Sequence, residues 1–448
     1  MSKPTLVDLI IAARWIIPVV PENTLLTDHA VIINQGEILA ILPQSEVDQH
    51  YTLSEQGQQF QLDQHAVIPG LINSHSHTPM SLLKGYADDT ALQTWLEDHI
   101  WPAEGRHVSA EFVRDGSRLA IAEMIKTGTT CFADMYFFPE ETAEVCHEAG
   151  MRAQVTIPVM DFPTAWGSGP DEYLEKGAGL LETYKNSELV TIGFGPHAPY
   201  TVSDDAFKAT VALADQWQAP IQTHLHETAF EVDEGIKASG IRPSARLHKL
   251  GVLTPATQCV HMTQIDESDI ELLLSTGAHV VHCPESNLKL ASGFCPVDTL
   301  MKAGVNVALA TDGSASNNDL DMFSEMRTAA LLAKAVSKDA EALSAQQALT
   351  MATLNGAKAL GISDRVGSLE VGKKADICAI GMSDLALQPI YNPVSQMVYC
   401  NNSQNVSHVW INGQTVMSDR ALQTLNEAEI IANAQQWGDT IRAGSQEA

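Results

Sequence analysis

The sequence predicts an α/β protein with a (β/α)₈ barrel at its centre and one small β-domain built from both chain ends. Three observations carry this reading. Between residues 66 and 360, eight apolar, strand-like runs each give way to a helix-like stretch, the alternation expected of a parallel barrel. Histidine or aspartate stands at the C-terminal end of several of these runs, where barrel enzymes carry their sites. Residues 1–65 and 361–420 are instead rich in short strands broken by glycine turns, the pattern of hairpins. Residues 421–448 read as a helical tail with a frayed end.

In chain order, Ala30 to Leu42 (AVIINQGEILAIL) is two apolar runs about a Gln35-Gly36 turn, a hairpin signal. The eight barrel runs are VIPGLINSHSH, GTTCFADMY, RAQVTIPVM, LVTIGFGPHAP, PIQTHLHE, TQCVHMT, AHVVHCPES and VNVALATDGS. Amphipathic stretches such as Ser203 to Trp217 and Asp266 to Ser275 lie between them. Beyond the barrel, GSLEVGKKADICAI is a glycine turn followed by a buried strand. VWINGQTVM is a second hairpin, turning at Asn412-Gly413.

The chain has 448 residues, with 26 Lys and Arg against 55 Asp and Glu, a net charge of −29. Such a surface repels phosphate backbones and anionic lipid, so nucleic acid and membrane are poor partners. No stretch of about 18 apolar residues is free of charge. Asp8 and Arg14 interrupt the apolar N-terminus, which argues against a signal peptide. Seven cysteines without a C-x-x-C pair argue against a disulfide framework or a zinc knuckle. The expectation is a soluble, cytoplasmic protein; assembly into a homo-oligomer is left open.

His75 and His77 stand at i and i+2, so both imidazoles share one face of a strand and can reach one metal. Taken alone, such a pair is more often two surface histidines in a loop. But His224 ends the fifth run, His261 the sixth and Asp312 the eighth. Packing does not explain this, because a buried histidine or aspartate without a partner is costly. No lysine ends the fourth run, so a carboxylated lysine bridging two metals is not supported. The better count is one divalent ion on three histidines and an aspartate, with Zn²⁺ favoured and Fe²⁺ or Mn²⁺ left open. His226 shares the face of His224 and competes as a ligand, although a packing role is preferred. Glu227 starts the loop above the metal, where a carboxylate suits proton transfer to a ring nitrogen. His197, between two prolines at the barrel mouth, reads as a substrate contact, and His282 as structural.

PGLINSHSHTPMSLLKG, GFGPHAPYTVS, THLHET, SNLKLASG, TDGSASNNDLDMFSEMR and GSLEVGKKADI resemble the amidohydrolase superfamily. Within it the sequence is most similar to the 5-methylthioadenosine/S-adenosylhomocysteine deaminases, over nearly the whole chain. The resemblance implies a distorted (β/α)₈ barrel with an accessory β-sandwich. It implies one metal on His75, His77, His224 and Asp312, and a substrate ringed by Glu104, His197, Glu227 and Asp312. Glu104 lies in WLEDHIWPAEGRH, which on its own reads as a solvated amphipathic helix. The implied reaction is metal-dependent hydrolytic deamination of adenine nucleosides (5′-methylthioadenosine, adenosine and, with them, S-adenosylhomocysteine) to an inosine-type product and ammonia. In that scheme Asp312 is ligand and base, Glu227 protonates N1, and His261 hydrogen-bonds the attacking oxygen. The alternative is a deaminase or chlorohydrolase of another N-heterocycle, guanine-type or a triazine. A non-catalytic barrel would be expected to have lost ligands, and all are present.

From Ala153 to Ile241 there is no arginine, the natural partner of a carboxylate tail. Phe162, Trp166 and Tyr200 in that stretch could instead cover a neutral 5′ group. Arg106, Arg118 and Arg152 are the nearby arginines left to meet an anionic one.

Overall fold

The computed structural model describes residues 3–400 and 403–446. Eight parallel strands follow one another in chain order around one sheet. They are β5 (Leu71–Ser76), β6 (Thr129–Met135), β7 (Arg152–Val159), β8 (Val190–Pro196), β9 (Ile221–Leu225), β10 (Thr257–His261), β11 (His279–His282) and β12 (Val307–Leu309). These are the eight predicted runs. Every residue of β6, β7, β9 and β10 is buried, polar ones such as Gln154, Gln222 and Gln258 included, as expected of a parallel sheet covered on both faces. The first and last strands are tied at the site end. Thr311 N donates to Asn73 Oδ1 at 3.0 Å, and Asp312 N donates to His75 O at 3.1 Å. The predicted helices form as Asp204–Trp217, capped by Ser203, and Glu267–Thr276, capped by Asp266.

The chain ends share one mixed sheet. Its N-terminal strands are β1 (Thr5–Ile16), β2 (Leu26–Asn34), β3 (Glu37–Pro43) and β4 (Tyr51–Pro69). Its C-terminal strands are β13 (Ile377–Gly381), β14 (Val406–Ile411), β15 (Gln414–Ser418) and β16 (Ala421–Leu422). The order is β16-β15-β14-β13-β4-β1-β2-β3, so the two ends meet where Cys378 pairs with Ile68. Both predicted hairpin turns form. Gln35-Gly36 has φ 50° and 78°, and Asn412-Gly413 has φ 51° and 74°, the two left-handed residues a type I′ turn requires. A Cβ on Gly36 would fall 2.6 Å from Asn412 O, so the two turns rest on each other.

Successive β1 residues serve opposite faces of this sheet. Leu9 and Ile11 pack with Val31, Ile33, Ile377 and Trp410; Ile10 and Ala12 pack with Ala30, Ile32 and Val47. Ile68, Cys378, Ile380 and Val409 join the core of the barrel.

One buried ion pair spans the two sheets. Arg152, at the start of β7, places Nε 2.7 Å from Asp376 Oδ2 and Nη2 3.0 Å from Oδ1. Both side chains are almost sealed from solvent. Asp376→Ala would leave the guanidinium buried and unpaired. It is expected to destabilise the fold by about 3–5 kcal/mol, read as a lower urea midpoint. The double variant Arg152→Met/Asp376→Leu should recover much of that loss.

After β5 the chain makes a long excursion that ends in helical turns over Leu92–His107. Trp95, Ile100 and Ala103 from it pack with Phe112, Tyr136 and Ile441 in a cluster of their own. Ile441 belongs to the predicted C-terminal helix, Glu427–Gln446, whose Trp437 donates to Asp115 Oδ2 at 2.9 Å. The frayed end expected beyond residue 446 lies outside the described residues. No helix among the described residues is long and apolar enough to cross a membrane.

Candidate active site

The C-terminal ends of the barrel strands bring His75, His77 and His224 together, with one ligand atom from each within 4.8 Å of the others. In each ring Nδ1 is committed elsewhere. His77 Nδ1 lies 2.5 Å from Met135 O and His224 Nδ1 lies 2.8 Å from His197 O. A carbonyl only accepts, so both Nδ1 atoms carry the proton. His75 Nδ1 lies 2.7 Å from Gln222 Oε1. The Gln222 amide donates through Nε2 to Ser74 O and Gln258 Oε1, which fixes its oxygen toward His75. All three Nε2 lone pairs therefore face one another, the arrangement metal-binding histidines need.

Asp312 completes the group, with Oδ1 3.4 Å from His75 Nε2 and 3.3 Å from His77 Nε2. Its Oδ2 accepts from Ser286 Oγ at 2.6 Å and Ser316 Oγ at 3.0 Å. Burial alone would raise the Asp312 pKa. Positive charge in the site holds it well below the usual carboxylate range instead: His75, His77 and His261 supply that charge when protonated, His75 then donating to the carboxylate, and a bound cation supplies it when the rings are neutral. Burial, with repulsion from the neighbouring histidines, keeps His224 neutral and lowers His197 to about 4. Neutral imidazoles and an ionised carboxylate are the donor set a divalent ion such as Zn²⁺ takes.

His77, His224 and Asp312 lie in the wall of a cavity of about 650 Å³, with His75 buried behind them, and Glu104, Tyr136, His197, Glu227 and His261 line the same cavity. His261 Nε2 faces Glu227 Oε2 at 3.8 Å, and His261 Nδ1 meets Asn287 Oδ1 at 2.9 Å. Glu227 Oε1 accepts from Ser292 Oγ at 3.1 Å. The buried Glu231 carboxylate accepts the backbone N–H groups of His226 and Glu227 and so fixes the turn beneath Glu227. His226, His261 and Asp312 have φ 54°, 79° and 65°. Left-handed residues other than glycine are strained, and here they gather at the strand ends that carry the site.

Several expectations change. His226 has the packing role preferred for it, but it does not share the site face: β9 ends at Leu225, and the left-handed turn sends its ring beneath Ser244, whose N–H donates to Nε2 at 3.2 Å. Glu104 is not on a solvated helix but on the cavity wall, where Tyr136 Oη donates to Oε1 at 2.6 Å. Burial raises its pKa to about 7, the hydrogen bond from Tyr136 opposing. Trp166 is buried outside the cavity, stacked on Tyr173, whereas Phe162 and Tyr200 do line it. Arg106, Arg118 and Arg152 are absent from the lining, and among the described residues no arginine or lysine belongs to it. His282 is buried away from the cavity, as expected. Residue-level reading missed Gln222, Ser286, Asn287 and Tyr136. Ser286 and Asn287 stand in the SNLKL motif, the one signal that could have found them.

The model of the amidohydrolase family matches residues 66–416. A 5-methylthioadenosine/S-adenosylhomocysteine deaminase of Saccharophagus degradans is 53% identical over 443 residues, 99% of each chain. A protein of the same description from Teredinibacter turnerae is 52% identical over 443 residues, 99% of this chain and 100% of that one. A crystal structure of an adenosine deaminase from Xanthomonas campestris with bound zinc has TM-score 0.96 and 47% identity, covering 98% of this chain and 100% of that one. The chain belongs to the amidohydrolase family, and within it to the hydrolytic deaminases.

Proposed function

We propose that the chain deaminates adenine nucleosides hydrolytically, using one divalent ion, zinc, on His75, His77, His224 and Asp312. The observation that carries this is the convergence of three Nε2 lone pairs on an ionised Asp312 in a cavity that also exposes Glu227. The zinc-bound neighbour at 47% identity supports the metal, and the relatives support the adenine nucleoside.

When bound, the ion supplies Lewis-acid polarisation that brings a water's pKa from 15.7 towards about 7. The Asp312 carboxylate takes the proton of the water that adds to C6 of the ring. Ser286 and Ser316 hold that carboxylate in place. Glu227 delivers a proton to N1, relieving the charge that builds on the ring; Ser292 holds its Oε1 and leaves Oε2 toward His261. His261, anchored by Asn287, hydrogen-bonds the attacking oxygen. Asp312 passes its proton to the C6 amino group, which leaves as ammonia as the C–N bond breaks; the C6 hydroxyl proton returns to Glu227, and an inosine-type product with a C6 carbonyl remains. Glu104 and His197 contact the substrate's sugar side.

The preferred 5′ group is neutral. Phe162 and Tyr200 line the mouth, and among the described residues no lysine or arginine in the lining meets a carboxylate. Arg246, which binds the loop after β8, is occupied by Pro199 O, Val202 O and Asp204. kcat/KM for 5′-methylthioadenosine and adenosine is expected to exceed that for S-adenosylhomocysteine by about tenfold or more, since an unmatched charged tail forfeits a charge-assisted hydrogen bond. Ammonia release measured for all three under one set of conditions tests both statements. Preference for S-adenosylhomocysteine would overturn the 5′ assignment. Activity on none of them, with activity on guanine or a triazine, would overturn the nucleoside.

A further inference from the structure

The first part of the excursion is tied down by polar contacts of Thr78, Ser81, Lys84 and Asp88, but its helical end, Leu92–His107, which carries Glu104, has little polar attachment to the barrel among the described residues. Trp95, Leu96, Ile100 and Trp101 present apolar surface to the cavity. Around them the packing is the apolar cluster with Phe112, Tyr136 and Ile441. Such packing holds a helix in place but does not choose the rotamer of a carboxylate at its edge. That is left to one hydrogen bond. Tyr136 Oη donates to Glu104 Oε1 at 2.6 Å, and no other side-chain partner for Glu104 is found among the described residues.

Tyr136 is well placed to be the fixed end of that bond. It follows β6 directly, next to Met135, whose carbonyl holds His77 Nδ1. Its ring is 6% exposed, with the Phe137 ring 5.0 Å away. The hydroxyl is therefore anchored to the same strand end as the metal group, whereas Glu104 comes from the excursion. The bond gauges the distance between the two.

We propose that Tyr136 is a positioning residue: its hydroxyl fixes the Glu104 carboxylate so that Oε2 stays free for a sugar hydroxyl of the substrate. The proposal rests on the reading of Glu104 as the sugar contact. A carboxylate accepts only, so an oxygen held by Tyr136 and an oxygen held out to the ligand divide the work. The phenol also shields Oε1 from the substrate, so that one hydroxyl is selected rather than two.

The experiment compares Tyr136→Phe with the wild type on adenosine and on 2′,3′-dideoxyadenosine, with metal content and Tm measured on both proteins. With adenosine, kcat/KM of Tyr136→Phe is expected to fall about tenfold, the scale of one hydrogen bond to a charged group, mainly through KM. With the dideoxy analogue the two proteins should agree within about twofold, because the hydroxyl Glu104 addresses is gone. Glu104→Gln and the double variant Tyr136→Phe/Glu104→Gln should be alike, since the two residues act in series. Equal losses on both substrates, or a loss of metal, would make Tyr136 structural and overturn the proposal. No loss on either would overturn it as well. A wild type that leaves adenosine untouched but acts on another heterocycle would overturn the functional reading instead, and the proposal with it.

Discussion

Glu227→Gln is expected to lower kcat by about 10² to 10⁴-fold, the usual contribution of a positioned acid/base group, while one divalent ion per chain stays bound. Glutamine keeps the shape and can still accept from Ser292 Oγ, but it has no proton to give to N1 and recover. The variant leaves the ligand group untouched, because Glu227 lies toward His261 rather than among the three histidines. Asp312→Asn separates the other role. It should lose turnover and also weaken metal binding, since Asp312 faces both His75 and His77. Normal turnover by Glu227→Gln, measured by ammonia release beside elemental analysis, would remove Glu227 from the proton path.

Removing the ion should have an effect of comparable size. Chelation is expected to lower activity by about 10³-fold or more, because water at its ordinary pKa is a poor nucleophile at neutral pH. Zn²⁺ added back should restore it. The Nε2 lone pairs are already turned inward by Met135 O, His197 O and Gln222, so restoration should need no refolding. The ion should also raise Tm, as any ligand that binds only the native state does. Two tightly held ions per active chain would contradict a site built from one such group.

The barrel was legible because its strands are short apolar runs with chemistry at one end. β6, β7, β9 and β10 are buried along their whole length, and the glutamines inside them, Gln154, Gln222 and Gln258, are bonded to one another, so groups left free for chemistry stand at the strand ends. The hairpins were legible because Gln35-Gly36 and Asn412-Gly413 must take left-handed conformations. What failed was inference past a strand's end. The alternation that placed His226 beside His224 holds only while the backbone is extended, and it stops at Leu225. Trp166 failed for a related reason: a loop residue has no period, and this one stacks on Tyr173 away from the cavity. Glu104 could be placed through family resemblance alone, because its partner Tyr136 lies 32 residues away, beyond any local pattern.

The pairing of β4 with β13 has a consequence for how the molecule is made. Translation delivers β1 to β4 first, while the strand that covers β4 is not yet synthesised. At roughly 5–20 residues per second, the wait from Pro69 to Ile377 is on the order of 15–60 s. During it the nascent chain presents an open strand edge, the feature most prone to pairing with a stranger. β4 is composed for that wait. Its long outer part, SEQGQQFQLDQH, is polar, and the apolar AVIP that β13 will cover is confined to the end nearest the barrel. A ribosome stalled before residue 377 would release a chain with that short edge bare, and it is there that truncated products should associate.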